Sequence, residues 1–308
     1  MDKVELWKKA SRSSVLPVIL LPVAIGALGA YAWNGVFHPL LFVLTLLGSA
    51  AAHLFSNMIN DLWDYRNGTD TKARESEEAI STNSGFLTNG TLSESTFAAM
   101  TWTLFAVAAV CGIVLAVVSG WPVLVFGGLG ALIAYYYVAP PIRFGYRGKG
   151  YSEAAILIAF GVLPVAGSYY VQTSLLDWKA IAASLPIGLF TTLILFNHHF
   201  LHWQADKEAG KRTLVVVWGE QRALRFSFAL LMLVYAALIG CVLAGALPWY
   251  SLLALLTVFP VVRVYRSLGD RNPSRAYAPL MGASVQGTMR FGLLLVLALL
   301  VQGLLAYI

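Results

Sequence analysis

The chain has 308 residues, of which 58% are hydrophobic and only 12% are charged, and its formal net charge is +6. Soluble globular domains carry about 25% charged residues, so this composition excludes an ordinary water-soluble domain and indicates a chain that resides in the lipid bilayer. The two cysteines, Cys111 and Cys241, both lie in apolar segments. They exclude a disulfide framework and a Cys-x-x-Cys metal site.

Predominantly apolar segments of about 20 residues, the length that crosses the hydrocarbon core as a helix, follow one another along the chain. No low-complexity linker divides them, so we expect one domain over residues 1–308. The sequence therefore predicts an all-α, polytopic membrane protein with about nine transmembrane helices. The segments are residues 15–33, 38–59, 96–118, 121–140, 153–172, 180–201, 225–245, 247–265 and 288–307.

The basic residues cluster on alternate connections between these segments. They precede the first segment and follow the second, fourth, sixth and eighth, whereas only Lys179 lies on the other side. This one-sided distribution is the positive-inside signature of membrane proteins and does not indicate a nucleic-acid partner. We expect a multi-pass protein of the cell (inner or plasma) membrane with a cytoplasmic N-terminus and an external C-terminus.

The second segment leads directly into a polar motif that contains Asn57, Asn60, Asp64, Gly68 and Asp70. Asn60 and Asp64 are four residues apart and share one face of a helix, and Gly68 permits a turn that brings Asp70 toward them. Carboxylates near hydrocarbon are kept mainly for ions, protons or substrates. Asn and Asp oxygens suit a hard cation such as Mg²⁺. The alternative is a helix end that emerges into water with its carboxylates solvated.

The sixth segment ends in a second polar motif, which contains His198, His202, Asp206, Lys211 and Arg212. The first three recur every four residues and predict a stripe on one helical face, with the chemistry of metal ligands or a base. The last two follow a glycine and are able to hold phosphate oxygens. The alternatives are structural histidines and cations that anchor the chain at the membrane surface. Because both motifs end even-numbered segments, we expect them on the same, cytoplasmic side.

Together these residues resemble the motifs of the UbiA superfamily of intramembrane prenyltransferases, and most closely those of its dihydroxynaphthoate prenyltransferases of menaquinone synthesis. Asn60, Asp64 and Asp70 match the first motif of the family, Asn-x-x-x-Asp with a further Asp beyond a Gly. Residues 206–214 match the second motif, an Asp that leads into Ala-Gly-Lys-Arg-Thr-Leu, and residues 137–150 are similar to a third stretch. Nine membrane spans is also the number typical of the family.

One position departs from the family pattern. His202 stands where the second motif carries its first Asp, after Leu201 where an Arg is expected. Neutral imidazole is a poorer Mg²⁺ ligand than a carboxylate. Either Asp206, with Glu208, holds the second part of a metal site, or His202 acts as a base.

The resemblance implies an Mg²⁺-dependent enzyme that transfers a prenyl group from a polyprenyl diphosphate to an aromatic, dihydroxynaphthoate-like acceptor inside the lipid bilayer. The metal ligands that it implies are Asn60, Asp64, Asp70 and Asp206, and we expect Asp64 and Asp206 to be catalytic. His202, which departs from the family pattern, is added as a candidate catalytic base or acceptor contact. The residues expected to contact the substrates are Arg143, Arg147 and Lys211 at the diphosphate, Tyr137 as an aromatic face for the allylic cation, and Asn57. For Tyr137 the alternative is the aromatic belt at the membrane interface.

Two alternatives remain open from the sequence. The first alternative stays within the superfamily: the enzyme uses another acceptor (a different phenol, a lipid alcohol or a sugar phosphate), or it cyclises the allylic cation. The second alternative is a different class of protein, a cation-coupled transporter that uses the same acidic residues. Transporters place ionisable residues near the middle of the membrane, at broken helices. Here they cluster at the ends of segments on one side, which favours the enzyme.

Overall fold

The computed structural model of the chain describes residues 3–68, 84–208, 210–269 and 271–307. Asp70 of the first motif lies outside the described residues. Within these ranges the regular structure is helical, with one isolated parallel bridge between Arg147 and Arg212. The predicted all-α class is confirmed.

The first half of the described chain contains seven α-helices, two 3-10 turns and one π-helical turn. The 3-10 turns are Ser13–Val15 and Phe144–Tyr146, and the π turn is Ile158–Val162. The α-helices are α1 (Lys3–Ala10), α2 (Pro17–Asn34), α3 (Pro39–Arg66), α4 (Glu94–Ser119), α5 (Pro122–Tyr136), α6 (Tyr151–Leu157) and α7 (Leu163–Thr173).

The second half of the described chain contains six α-helices and two 3-10 helices. The 3-10 helices are Trp249–Thr257 and Ser274–Tyr277. The α-helices are α8 (Trp178–His199), α9 (Trp203–Glu208), α10 (Leu214–Trp218), α11 (Glu220–Leu243), α12 (Val258–Ser267) and α13 (Ala278–Tyr307).

Seven helical stretches of the described chain are long and apolar enough to cross a membrane. The other two predicted segments correspond to shorter pieces: Pro122–Tyr136 has 15 residues, and the eighth segment is the 3-10 helix Trp249–Thr257 followed by α12. The chain is therefore a multi-span helical membrane protein, and the count of nine stays a prediction, as does the single domain.

Local sequence signals explain where several helices begin and end. Pro39 occupies the first turn of α3, where its missing N–H costs no hydrogen bond. The side chains of Ser93 and Asp177 cap α4 and α8 by accepting from the backbone N–H of Thr96 and Lys179. Each cap satisfies a donor that the helix itself leaves unpaired.

The fifth predicted segment contains the π turn between α6 and α7. There Gly161 packs directly on Gly188 of α8, so that a Cβ on Gly161 would lie 2.7 Å from the Cα of Gly188. Small residues at such a crossing let two membrane helices approach closely. This contact fixes the bulged segment against α8.

The last helix, α13, begins at Ala278, about ten residues before the boundary that hydropathy predicts at residue 288. Within this helix the hydroxyls of Ser284 and Thr288 are satisfied, because each donates to the carbonyl four residues earlier, at 2.8 Å. Ser284 also accepts a hydrogen bond from the buried Asn197 of α8. Ser284 and Thr288 are thus polar residues of α13 that are buried.

Most of the buried hydrophobic side chains form two clusters. The larger one joins α2, α8, α11, α12 and α13 around Phe190, Phe291 and Leu231, and the smaller one joins α1, α3 and α4 around Met58 and Phe97. The outward faces of the helices carry many exposed large apolar side chains. A surface of that kind is unfavourable in water and is the expected lining toward lipid.

Candidate active site

A cavity of about 1210 Å³ lies among α3, α4, α5, α7 and α8. Much of its wall is apolar and includes Leu115, Phe126 and Leu163. Polar side chains of the wall include Arg12, which precedes α2, and Asn60, near the C-terminal end of α3. Apolar pockets with a few convergent polar groups are the usual form of small-molecule sites. This cavity has room for a long apolar chain that carries a polar head.

Asn60 lines this cavity and carries an unpaired side-chain oxygen. Its Oδ1 is buried and has no hydrogen-bond partner among the described residues. Leaving a buried acceptor unpaired is unfavourable, so the position suits a ligand that brings positive charge or a donor. Asp64 follows one helical turn later, is buried, and accepts a hydrogen bond from the hydroxyl of Tyr146.

The second motif meets the first through Lys211. Its Nζ lies 3.8 Å from Oδ1 of the buried Asp206 and 5.2 Å from the centre of the Tyr146 ring. Gly210, with φ of 75°, turns the chain, and the N–H of Lys211 donates to the Asp206 carbonyl at 2.8 Å. Asp64, Tyr146, Lys211 and Asp206 are therefore linked into one group, as the sequence predicts for the two acidic residues.

The charges of this group shift one another. Burial raises the pKa of Asp206 and Asp64 raises it further, whereas Lys211 opposes the shift. For Lys211, burial lowers the pKa, but Asp206, Asp64 and Tyr146 outweigh it and the net shift is upward. The ammonium is thus kept charged.

The side chains present fit Mg²⁺. The described residues contain no group of three or more His, Cys, Asp or Glu side chains placed to hold a metal by themselves. The oxygen donors at hand are the unpaired Oδ1 of Asn60 and the carboxylates of Asp64 and Asp206. Mg²⁺ is usually bound by one or two carboxylates together with substrate phosphates and waters, not by an all-protein cage. A hard, sparse donor set is therefore what such a site requires.

The helical stripe predicted for the second motif is interrupted. The α8 helix ends at His199, and Leu201 and His202 donate to carbonyls only three residues earlier, which tightens the chain before α9 begins. The ring of His202 still lies 4.9 Å from that of His198, and His198 lines the cavity. Burial and the nearby Lys211 lower the pKa of His202 to about 4, so its imidazole is neutral.

The two predicted arginines flank the 3-10 turn that carries Tyr146. Arg143 is half-buried with φ of 42°, and Arg147 is exposed and pairs through its backbone with Arg212. The N–H of Arg212 also donates to the Tyr146 carbonyl at 3.1 Å. Sequence reasoning missed Tyr146, although it lies within the third stretch that resembles the family.

Asn57, predicted to contact substrate, lies in the cavity wall and holds the N-terminal segment. Its Nδ2 donates to the Ser11 carbonyl at 3.1 Å, and Arg12 donates to the Asn57 carbonyl at 3.0 Å. Arg12 also forms an ion pair at 3.0 Å with Asp61, which accepts from the N–H of Ser84. Residues 11 and 12 are thereby fixed against α3 beside the cavity.

Comparison with known proteins gives consistent matches. The model of the UbiA prenyltransferase family matches residues 19–285. The chain is 30% identical over 277 residues to 2-carboxy-1,4-naphthoquinone phytyltransferase of Synechocystis sp., covering 86% of this chain and 83% of that protein. It is 29% identical over 304 residues to 1,4-dihydroxy-2-naphthoate octaprenyltransferase of Escherichia coli, covering 97% and 96%.

Solved structures share the fold. A UbiA homolog from Archaeoglobus fulgidus, bound to GPP and Mg²⁺, superposes with a TM-score of 0.61 at 18% identity, covering 94% of this chain and 99% of that one. The apo UbiA homolog from Aeropyrum pernix gives a TM-score of 0.65 at 17% identity, covering 92% and 97%. At these identities the similarity concerns the fold alone.

Proposed function

Because the chain belongs to the UbiA prenyltransferase family, we propose that it transfers a polyprenyl group from its diphosphate to a naphthoate acceptor, 1,4-dihydroxy-2-naphthoate, within the membrane. Relatives named for this acceptor and for menaquinone-type naphthoquinones match over most of their length. The observation that carries the proposal is the unpaired Oδ1 of Asn60, one turn before Asp64, on a largely apolar cavity. An amphiphile with a charged head and an apolar tail fits both features.

We propose that Asn60, Asp64 and Asp206 hold Mg²⁺, and that Asp70 joins them. When bound, this ion would supply positive charge to the diphosphate. Lys211 adds a fixed cation for the leaving group, and Tyr146 orients the Asp64 carboxylate through its hydroxyl. Arg143 and Arg147, on either side of Tyr146, are the further cations expected to meet the diphosphate.

In the proposed reaction the allylic C–O bond breaks and its electron pair leaves with the diphosphate. A ring carbon of the acceptor then forms the new C–C bond. The ring recovers its aromaticity by losing a proton or, for a naphthoate, carbon dioxide. The apolar cavity wall keeps water from the allylic cation, and Tyr137, which lines the cavity, offers it an aromatic face. His202 stays a predicted base.

We also propose that the site opens to the cytoplasm and that the C-terminus lies outside. The support is the positive-inside distribution, since Arg12, Arg143 and Lys211 all lie at helix ends on the side of the two motifs. A reporter fused to the C-terminus is expected to be accessible from outside intact cells. A reporter that is active only in the cytoplasm would show the opposite orientation.

The experiment that tests the function uses purified protein in detergent with Mg²⁺, 1,4-dihydroxy-2-naphthoate, and either phytyl or octaprenyl diphosphate. We expect prenylated naphthoquinol by mass spectrometry, released diphosphate in equal amount, and loss of both with EDTA. Diphosphate release without that product would reject the naphthoate acceptor. Absence of both, from folded protein and across donors, would reject the proposed activity.

A further inference from the structure

His53 is a buried histidine of α3 that the proposed chemistry does not yet use. It is 6% exposed and lines the cavity. Four polar residues of α3 follow one another at intervals of four, three and four positions: His53, Asn57, Asn60 and Asp64. This spacing places all four on one face of the helix. His53 precedes Asn60 by seven positions, which is about 10 Å along the helix axis. His53 thus lies deeper in the cavity than the proposed metal ligands.

The hydrogen bonds around Asn57 fix the tautomer of His53. The Nδ2 of Asn57 donates to the Ser11 carbonyl at 3.1 Å, and a carbonyl only accepts, so the amide nitrogen must point there. The same nitrogen lies 3.4 Å from Nε2 of His53 and has its second hydrogen to give. The Nε2 atom therefore accepts. The imidazole is neutral and its proton sits on Nδ1.

This Nδ1–H donor has no partner among the described residues, although its atom is buried. The ring is not free to turn toward one, because Asn57 holds Nε2 and Phe160 packs against the ring edge-to-face, with centroids 5.3 Å apart and planes at 88°. Phe160 belongs to the π turn that Gly161 and Gly188 hold in place. A fixed, unpaired, buried donor beside a cavity indicates an oxygen-bearing ligand.

A prenyl chain has no oxygen to accept this bond, so the apolar tail of the donor substrate does not explain His53. We propose that His53 binds the aromatic acceptor and that its Nδ1–H donates to a ring hydroxyl oxygen of that molecule. The inference rests on the proposed function and adds the acceptor-binding position. In 1,4-dihydroxy-2-naphthoate the 1-hydroxyl is engaged by the neighbouring carboxylate, so the 4-hydroxyl oxygen is the partner.

Two substitutions of His53 separate its two nitrogens. An Asn side chain places an amide N–H near the Nδ1 position, whereas a Gln side chain reaches the Nε2 position and leaves Nδ1 without a substitute. We expect His53→Gln to raise the KM for 1,4-dihydroxy-2-naphthoate about tenfold, as for the loss of one hydrogen bond, and His53→Asn to stay within about threefold of wild type. The KM for the prenyl diphosphate should change less than about twofold in both.

The matched control is His38→Gln, since His38 precedes the opposite end of α3 and its hydrogen bonds with Gln172 are made by its backbone. It should leave both KM values unchanged. Gel-filtration elution and thermal unfolding in detergent establish that each variant is folded. Direct binding of the naphthoate, by titration calorimetry without the prenyl substrate, gives a readout that does not depend on turnover.

A ligand lacking the 4-hydroxyl completes the test. Wild-type protein should bind 1-hydroxy-2-naphthoate about tenfold more weakly than the dihydroxy compound, and His53→Gln should bind the two about equally. Undiminished naphthoate binding by folded His53→Gln overturns the proposal, and so does a rise in the KM for the prenyl diphosphate alone. Wild-type protein that converts no naphthoate at all would instead reject the proposed function.

Discussion

The Lys211 ammonium lies 3.8 Å from the Asp206 carboxylate, at the point where the second motif turns back on itself. Gly210 makes this turn, and the same ammonium stands over the ring of Tyr146, which donates to Asp64. Two buried carboxylates from separate motifs are thus balanced by one shared cation. This arrangement places one positive charge beside both acids.

Replacing Lys211 with Met removes the cation and retains the length of the side chain. We expect the KM for prenyl diphosphate to rise at least about tenfold, because a charge-assisted contact to phosphate is lost. Steady-state kinetics of diphosphate release measure it. The matched control is Lys207→Met, an exposed lysine on α9. Equal kinetics for the two variants would show that Lys211 does not meet the diphosphate.

Tyr146→Phe removes the hydroxyl that donates to Asp64 and keeps the ring beneath Lys211. Mutation of a residue that orients a metal ligand typically lowers metal affinity about 10–100-fold. We therefore expect the activity of the variant to reach half its maximum at an Mg²⁺ concentration about tenfold higher than for wild type. A magnesium titration of the activity checks this. Tyr151→Phe, at an exposed tyrosine, should titrate like wild type. An unchanged titration for Tyr146→Phe would exclude an orienting role for the hydroxyl.

Arg12→Ala tests the clamp on the N-terminal segment. Asp61, whose side chain is 5% exposed, would keep its hydrogen bond from Ser84 but lose its ion-pair partner. Leaving a buried charge unpaired costs about 3 kcal/mol, so we expect a clear fall in thermal stability. Arg66→Ala breaks an exposed pair with Glu94 and should cost at most about 1 kcal/mol. Equal stability losses would contradict the buried pairing.

Gly161→Ala tests the helix crossing that holds the π turn. Its Cβ would meet the backbone of Gly188, which has no flexible side chain to move away, so we expect destabilisation of about 1–3 kcal/mol. Gly112→Ala is the comparison, because a Cβ there meets nothing within 4 Å. That variant should be neutral or slightly more stable, since Ala favours helix. Thermal unfolding that ranks the two in the opposite order would argue against the close crossing.

Periodicity was sufficient to predict part of the site. The four-residue spacing of Asn60 and Asp64 places them on one face of α3, and the positions of the two motifs at segment ends predict their meeting. In the structure the carboxylates of Asp64 and Asp206 are linked through Tyr146 and Lys211. No pattern marks Tyr146 for this role, because its contact with Asp64 spans 82 positions of sequence.

Other features depend on tertiary contacts that a hydropathy profile does not contain. The helix α13 begins about ten residues before the hydropathy boundary, and there Ser284 is buried and accepts a hydrogen bond from Asn197. The π turn at Ile158–Val162 is stabilised by the approach of Gly161 to Gly188. The fixed tautomer of His53 depends on a carbonyl of Ser11, a residue of a different segment.

The most direct test of the central claim is Mg²⁺-dependent product formation by Asp64→Asn, a substitution that keeps the size of the side chain and removes one oxygen donor and the charge. The control is Asp177→Asn, at the cap of α8, where Asn also caps. We predict that Asp64→Asn lowers prenylated product at least about 100-fold at saturating Mg²⁺, while Asp177→Asn matches wild type. Asp64→Asn protein that forms product at the wild-type rate would contradict the account.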